Sequence, residues 1–252
     1  MTKNDDPLIA ISDLFEALHL LTRLPVPMQS EMRGAAAAWA YPLAGLVVGA
    51  VAAVVGLTGF ALGLPTALCA LLSLASLVIT TGALHEDGLA DSIDGFWGGW
   101  TTERRLEIMK DSRIGAYGVI ALVLALAARW AAIWMLFEVN ATAAAAGILV
   151  ASAASRAMMP QIMANLPRAR EGGLSAQVGD VPLVTALVAF GVAFVTAFVF
   201  AGWGGLLALI WGVVVTLVIA RIAWVKIGGQ TGDVLGATQQ LVEIAVLLSL
   251  LA

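Results

Sequence analysis

Repeated apolar runs constrain this chain more than any other feature. A helix needs roughly 20 mostly apolar residues to cross about 30 Å of hydrocarbon. Segments near that length can be drawn at residues 36–60, 65–84, 115–136, 141–160, 182–201, 204–226 and 237–252. The composition agrees: 61% of the 252 residues are hydrophobic and 12% charged, against about 25% charged in a soluble domain. The mean hydropathy is +0.96. The expected fold is all-α, a single polytopic transmembrane helix bundle over residues 1–252 with about seven spans. Membrane lipid is then its surroundings, and nucleic acid is not an expected partner. The net charge of −4 says little by itself, because the placement of charge along the chain carries the information.

Ahead of the first span, residues 8–22 place Leu8, Ile11, Leu14, Phe15, Leu18 and Leu21 on one helical face, with Asp13 and Glu16 off it. That spacing predicts an amphipathic helix on the membrane or on the bundle, within an interfacial segment 1–34. Leu24-Pro-Val-Pro27 ends it. Lys3, Arg23 and Arg33 precede the first span. Arg104, Arg105, Lys110 and Arg113 follow the second, Arg156, Arg168 and Arg170 flank the fourth connection, and Arg221 and Lys226 end the sixth. The alternate connections carry no Lys or Arg, so the positive-inside rule puts the N-terminus and residues 85–114 in the cytoplasm and the C-terminus outside. Arg129 falls within a span; it snorkels, faces the bundle interior, or marks a misdrawn segment. The single Cys69 sits in an apolar run and reads as buried, and no cleaved signal peptide is expected. Stretches rich in Ala and Gly, at 35–55, 141–155 and 201–206, predict close helix packing.

The acids concentrate in one place. His85-Glu-Asp-Gly-Leu-Ala-Asp-Ser-Ile-Asp-Gly95 follows the second apolar run directly. Asp87, Asp91 and Asp94 are spaced i, i+4 and i+7, within about 60° of one another on a helix. Like charges on one face repel, and a hard divalent cation with oxygen ligands relieves that repulsion. The alternative is a solvated acidic helix start. His85 is a general base, a ligand or a hydrogen-bonded structural residue. Glu103, Arg104 and Glu107 read mainly as a solvated helix with weak ion pairs. Lys110, Asp111 and Arg113 lie at a glycine turn entering a span and are candidates for substrate contact or catalysis.

A second constellation, Gly228-Gly-Gln-Thr-Gly-Asp-Val-Leu-Gly-Ala237, closes the sixth span. Gly229 and Gly232 free backbone N–H groups for an anion, and Asp233 adds a carboxylate near the same level. Arg168 and Arg170, beside Glu171-Gly-Gly173, are candidate clamps for phosphate oxygens. If both constellations form one site, Asp233 must approach Asp87–Asp94.

HEDGLADSIDG, LEIMKDSRIGAYG and GGQTGDVLGA closely resemble the cobalamin synthase family (adenosylcobinamide-GDP ribazoletransferase), as do the opening LTRLPVP and YPLAGLVVG. The resemblance covers nearly the whole chain with its motifs in order. It departs at Glu86, where the family pattern has an apolar residue, commonly Leu. The resemblance implies a bacterial cytoplasmic-membrane enzyme that joins adenosylcobinamide-GDP to α-ribazole or its 5′-phosphate. GMP would be released in a reaction requiring Mg²⁺. The division of roles comes from the residues and not from the resemblance: Asp87, Asp91, Asp94 and Asp233 would hold the metal, and Asp94 or His85 would take the hydroxyl proton. A homo-oligomer is left open. One rival is a CDP-alcohol phosphotransferase, since Asp91-Ser-Ile-Asp-Gly95 matches the opening of that motif. Its continuation is absent, because Phe96-Trp-Gly-Gly follows. A second rival, a secondary transporter, predicts midplane charges and an inverted repeat, and no repeat is visible.

Overall fold

The computed structural model of the chain describes residues 7–27 and 32–252, so Lys3 lies outside the described residues. They form an all-helical bundle in one chain order. Helix α1 (Ser12–Leu21) precedes a 3-10 helix (Gly34–Ala40) that runs into α2 (Tyr41–Ala61). Then come α3 (Thr66–Thr81), α4 (Leu84–Gly98), α5 (Thr102–Ile108), α6 (Ala116–Val139) and α7 (Ala141–Asn165). A short α8 (Leu174–Val178), a long α9 (Leu183–Ile227) and α10 (Gly232–Ser249) complete the chain.

Helix α9 is 45 residues long and breaks at Gly202, whose φ of +56° and ψ of −137° are not helical. Across this break the arms 183–201 and 203–227 fold back on each other. A Cβ on Gly205 would run into the Ala197 carbonyl oxygen, so the turn closes only on glycine. Four stretches are long and apolar enough to cross a membrane: Gly34–Ala61, Ala116–Val139, Ala141–Asn165 and Leu183–Ile227. A fifth is reached if α3 and α4, bent by 85°, count as one. The expected seven is therefore not reached on length and composition. The α9 hairpin counts once, α3 is only 16 residues, and α10 buries the polar Gln239, Gln240 and Glu243. Helix α4 carries Glu86, Asp87, Asp91 and Asp94 and turns away from the line of α3, so we place it outside the spanning segments. Large apolar side chains stand outward on the long helices, among them Val54, Ile79, Leu124, Val199 and Leu217, as a lipid-facing surface requires. Inside, the packing relies on small residues such as Ala52, Ala144, Ala151, Ala193 and Ala208, as the Ala-rich runs predict.

The residues expected to be a polar segment at 85–114 are largely helical. They build α4 and α5, which fold against the end of α9. Arg105 donates to the Lys226 carbonyl at 2.9 Å, and Lys226 donates to the Phe96 carbonyl at 3.1 Å.

Three polar ties hold this arrangement. Arg129 faces the bundle interior, 1% exposed, which settles its three readings in favour of the second. It donates to Glu86 on α4 at 2.7 Å, to Glu243 on α10 at 3.0 Å and to Gln240 at 2.9 Å. Arg156, expected as a topological cation near a connection, is instead buried in α7. It donates to the Ser152 carbonyl at 3.0 Å and stands 4.0 Å from Glu243. The two arginines and two glutamates cancel, which is what tolerates them in an apolar bundle.

The second tie joins α1 to the 3-10 helix. Asp13 and Glu16 were expected off the packed face, yet both are buried. Glu16 accepts from the backbone N–H groups of Arg33 and Gly34, each at 2.7 Å. Asp13 pairs with Arg33 and accepts from the Trp39 indole at 2.6 Å. The apolar Leu8 and Ile11 are left exposed at the outer edge. Thus α1 packs on the bundle through its acids as well as through Ala17, Leu18 and Leu21.

The third tie joins α4 to α6. Asp94 accepts from Gly115 N–H at 2.7 Å and from Gly118 N–H at 2.9 Å, occupying the unpaired donors that open α6. A Cβ on either glycine would collide with that carboxylate.

Two outcomes follow for stability. Replacing Arg129 with Ala leaves Glu86 and Glu243 buried without their cation, a loss of about 3–5 kcal/mol. Gly118→Ala overpacks the Asp94 contact and costs about 1–3 kcal/mol. Both are read by thermal unfolding in detergent, with exposure of the buried Cys69 thiol to a maleimide dye as the signal. Melting temperatures unchanged from wild type would contradict both assignments.

Candidate active site at the α4–α10 contact

Helices α4 and α10 meet at two glycines. A Cβ on Gly88 would lie 3.1 Å from Asp233 Cα, and one on Gly236 would lie 3.2 Å from Gly88 Cα. This close approach carries the start of α10 onto the acidic face of α4, as a single site requires. Asp233 opens α10 behind Thr231, whose hydroxyl accepts from Val234 N–H at 3.3 Å. The segment 167–170 is laid beside it by backbone pairing: Ala169 N–H donates to the Gln230 carbonyl at 2.9 Å and Gln230 N–H to Pro167 at 2.8 Å. That pairing delivers Arg170 to Asp233, 3.0 Å away.

A cavity of 260 Å³ opens here, with His85, Asp87, Arg170, Gly232 and Asp233 all lining it. Its remaining wall is mostly apolar, from α1, α2, α7, α8 and α10. The α4 acids grade from surface to interior: Asp87 is exposed, Asp91 half-buried and Asp94 buried. Burial first, and then Asp87, Asp233 and Asp94, push the Asp91 carboxyl up to about 7. Burial also raises Asp233 against the pull of Arg170. The crowded carboxylates disfavour one another's charge, and the arrangement calls for a cation.

Two polar groups at the cavity have no partner among the described residues: Arg170 Nη1 and the ring nitrogens of His85. His85 is 1% exposed. Burial, then Arg156 and Arg129, hold its pKa well below the usual value, so the ring is neutral.

Other sequence candidates lie elsewhere. Both oxygens of Asp94 are engaged by α6. Lys110 is exposed. Asp111 and Arg113 pair with each other at 2.6 Å in an exposed turn, which brings Asp111 down to about 2. Arg168 points to Asp180 at 3.3 Å rather than to the cavity. Gly229 packs under the Pro167–Ala169 backbone, where a Cβ would strike the Pro167 carbonyl. Glu103 is exposed and Arg104 pairs with Glu107 on the surface, as expected of a solvated helix. The sequence reading missed Tyr41, Met159 and Met163, which line the cavity from distant spans with no local motif to mark them. It also missed the Glu86–Arg129–Glu243 knot, whose one signal was ionisable residues of both signs within apolar runs.

No group of three His, Cys, Asp or Glu side chains among the described residues is disposed as a ready metal cage. Mg²⁺ is commonly held by one or two carboxylates plus substrate phosphates and water. The two carboxylates Asp87 and Asp233 on the cavity wall, beside an unpartnered arginine nitrogen, fit that mode of binding.

The model of the family described as cobalamin-5-phosphate synthase matches residues 13–251. The chain is 45% identical over 242 residues to the adenosylcobinamide-GDP ribazoletransferase of Bradyrhizobium diazoefficiens, covering 94% of this chain and 92% of that one. It is 44% identical to the protein of the same name from Mesorhizobium japonicum, with 94% and 92% covered. With the one from Azorhizobium caulinodans it shares 41% identity over 96% of each. No solved structure matches. With the family motifs gathered at one end of the bundle and the match running nearly end to end, this chain belongs to the cobalamin-5-phosphate synthase family.

Proposed function

We propose that this chain is a membrane transferase that joins adenosylcobinamide-GDP to α-ribazole or its 5′-phosphate, giving adenosylcobalamin or its 5′-phosphate and GMP. The observation that carries the reading is the meeting of Asp87, Asp233 and the unpartnered Arg170 Nη1 on one cavity. An orphaned guanidinium nitrogen among carboxylates is suited to a phosphate oxygen. The relatives supply the substrate names.

The reaction forms a bond between a ribazole hydroxyl oxygen and the phosphorus next to cobinamide. It breaks the pyrophosphate bond, and the electron pair leaves on GMP. Arg170 binds and orients the pyrophosphate through Nη1 while Asp233 fixes its other nitrogen at 3.0 Å. Asp91, whose carboxyl is raised first by burial and then by the carboxylates around it, takes the hydroxyl proton. Burial and the charges of Arg156 and Arg129 disfavour the cation His85 would become, and Asp94 is committed to α6, so neither is the acceptor in this scheme. Asp87 and Asp233 would hold Mg²⁺, which supplies neutralisation of the pyrophosphate charge. The Lys and Arg residues of the segments at this end, among them Arg104, Arg105, Lys110 and Arg113, support a cytoplasmic orientation in a bacterial inner membrane.

Purified protein should release GMP from the two substrates with Mg²⁺ and lose that activity in EDTA. Asp87→Ala and Asp91→Ala should each remove most turnover while the protein still inserts in the membrane. Asp233→Asn should lower kcat/KM at least tenfold, about 1.4 kcal/mol of transition-state stabilisation. Near-native turnover in two of these three variants would defeat the site assignment. For orientation, single cysteines at 99–112 in a Cys69→Ser background should resist an impermeant maleimide added outside, and one at residue 252 should react. The reverse pattern would overturn the proposed active-site side.

A further inference from the structure

Two properties of the cavity are not used by the phosphate chemistry. Away from Asp87, Arg170 and Asp233 its wall is apolar, formed by side chains including Leu21, Tyr41, Met159, Met163 and Leu235. Among the buried residues lining it, His85 has both ring nitrogens without a partner among the described residues.

We propose that this cavity seats the aromatic base of the acceptor nucleoside, with His85 donating to the base's free ring nitrogen. The inference rests on the function proposed above and assigns one substrate's position within it. Size is the first argument. Pockets for drug-sized ligands run from roughly 300 to 1,000 Å³. At 260 Å³ this one suits a bicyclic ring and part of its sugar, and cannot enclose a corrin macrocycle. The macrocycle must then lie outside, reaching the acids with its GDP arm.

Chemistry is the second argument. A buried polar ring without a partner is costly, and a ligand that satisfies it recovers that cost. An imidazole ring carries an N–H donor whichever of its nitrogens holds the proton. A benzimidazole attached to ribose through one ring nitrogen keeps the other as an acceptor, so the pair is complementary. The Arg129 and Arg156 charges near His85 also favour a neutral ring over a cationic one. Methionines such as Met159 and Met163 adapt to a flat aromatic face and make favourable sulfur–ring contacts.

Placement is the third. The charged groups fall together at the α4–α10 contact, with Asp87 adjoining Gly88 and Asp233 paired to Arg170. A base seated among the apolar residues would direct its sugar hydroxyls toward that charged wall, where the pyrophosphate is expected. The cavity thus positions the nucleophile and sets base specificity.

The test uses full-length protein in lipid nanodiscs. Wild type should bind α-ribazole by calorimetry with no corrinoid or Mg²⁺ present, and free 5,6-dimethylbenzimidazole should compete. Met163→Trp, which fills the cavity, should weaken α-ribazole binding at least tenfold. It should raise the KM for α-ribazole similarly, leaving the KM for adenosylcobinamide-GDP within twofold. Met163→Phe serves the same purpose if the Trp variant is not monodisperse. His85→Phe keeps the ring and removes the donor, and should weaken binding about fivefold. No α-ribazole binding by wild type, or unchanged binding in the filled variants, overturns the inference. So does a change in KM confined to adenosylcobinamide-GDP. GMP release by wild type with α-ribazole kinetics unaltered in Met163→Trp sinks the seat alone and spares the transferase reading. Cavity-dependent α-ribazole binding without GMP release does the opposite.

Discussion

A buried cation ties the working end of this protein together. Arg129 lies in the apolar bundle with its guanidinium shared between Glu86 of α4 and Glu243 of α10. Moving such a charge out of water costs several kcal/mol per ion, recovered only through well-placed partners. The partners come from two different helices, so satisfying Arg129 fixes α4 against α10. The glycine contact at Gly88 and Gly236 then sets how closely they approach. Everything proposed for the site depends on that spacing, because Asp87 and Asp91 belong to one helix and Asp233 to the other. Glu86 is where the motif departs from its family pattern, and in this chain it serves as one anchor of the knot.

The acids of α4 divide their labour by depth. Asp94, the most buried, accepts from the N-terminal donors of α6, and Gly115 and Gly118 exist in the sequence at the spacing that lets it in. Asp91 lies halfway out and Asp87 faces the open side. One helical face therefore supplies both a structural anchor and charged groups left without obligate protein partners. Glu16 on α1 performs the same anchoring at Arg33 and Gly34. In each case a carboxylate replaces water at a helix start that has been packed into protein, where an unpaired N–H would be costly.

The class of the molecule was legible because hydrocarbon imposes a length and composition on any helix that crosses it. The long apolar helices, the break near residue 202, the buried Cys69 and the small-residue packing all follow from local patterns. The spacing of Asp87, Asp91 and Asp94 gave a shared helical face. It could not say that the third of them turns inward, since that depends on where α6 begins in space. Asp13 and Glu16 show the same limit: a helical wheel assigns acids to solvent and cannot foresee donors arriving from 17 residues downstream.

The sequence by itself determined the solvent of this protein, the segments that are helices and the family to which its motifs belong. These are properties of consecutive residues, and the periodicity of a helix and the thickness of a bilayer read them directly. Only the tertiary structure decided which charges are free. Arg170 reaches Asp233 while Arg168, two residues away, turns to Asp180. Arg129 and Arg156 are consumed within the bundle, and His85 is enclosed without a partner. Each outcome is set by which helix packs beside which. Charge pairing and burial act across space, between residues as far apart as Glu86 and Glu243, and no local pattern encodes them.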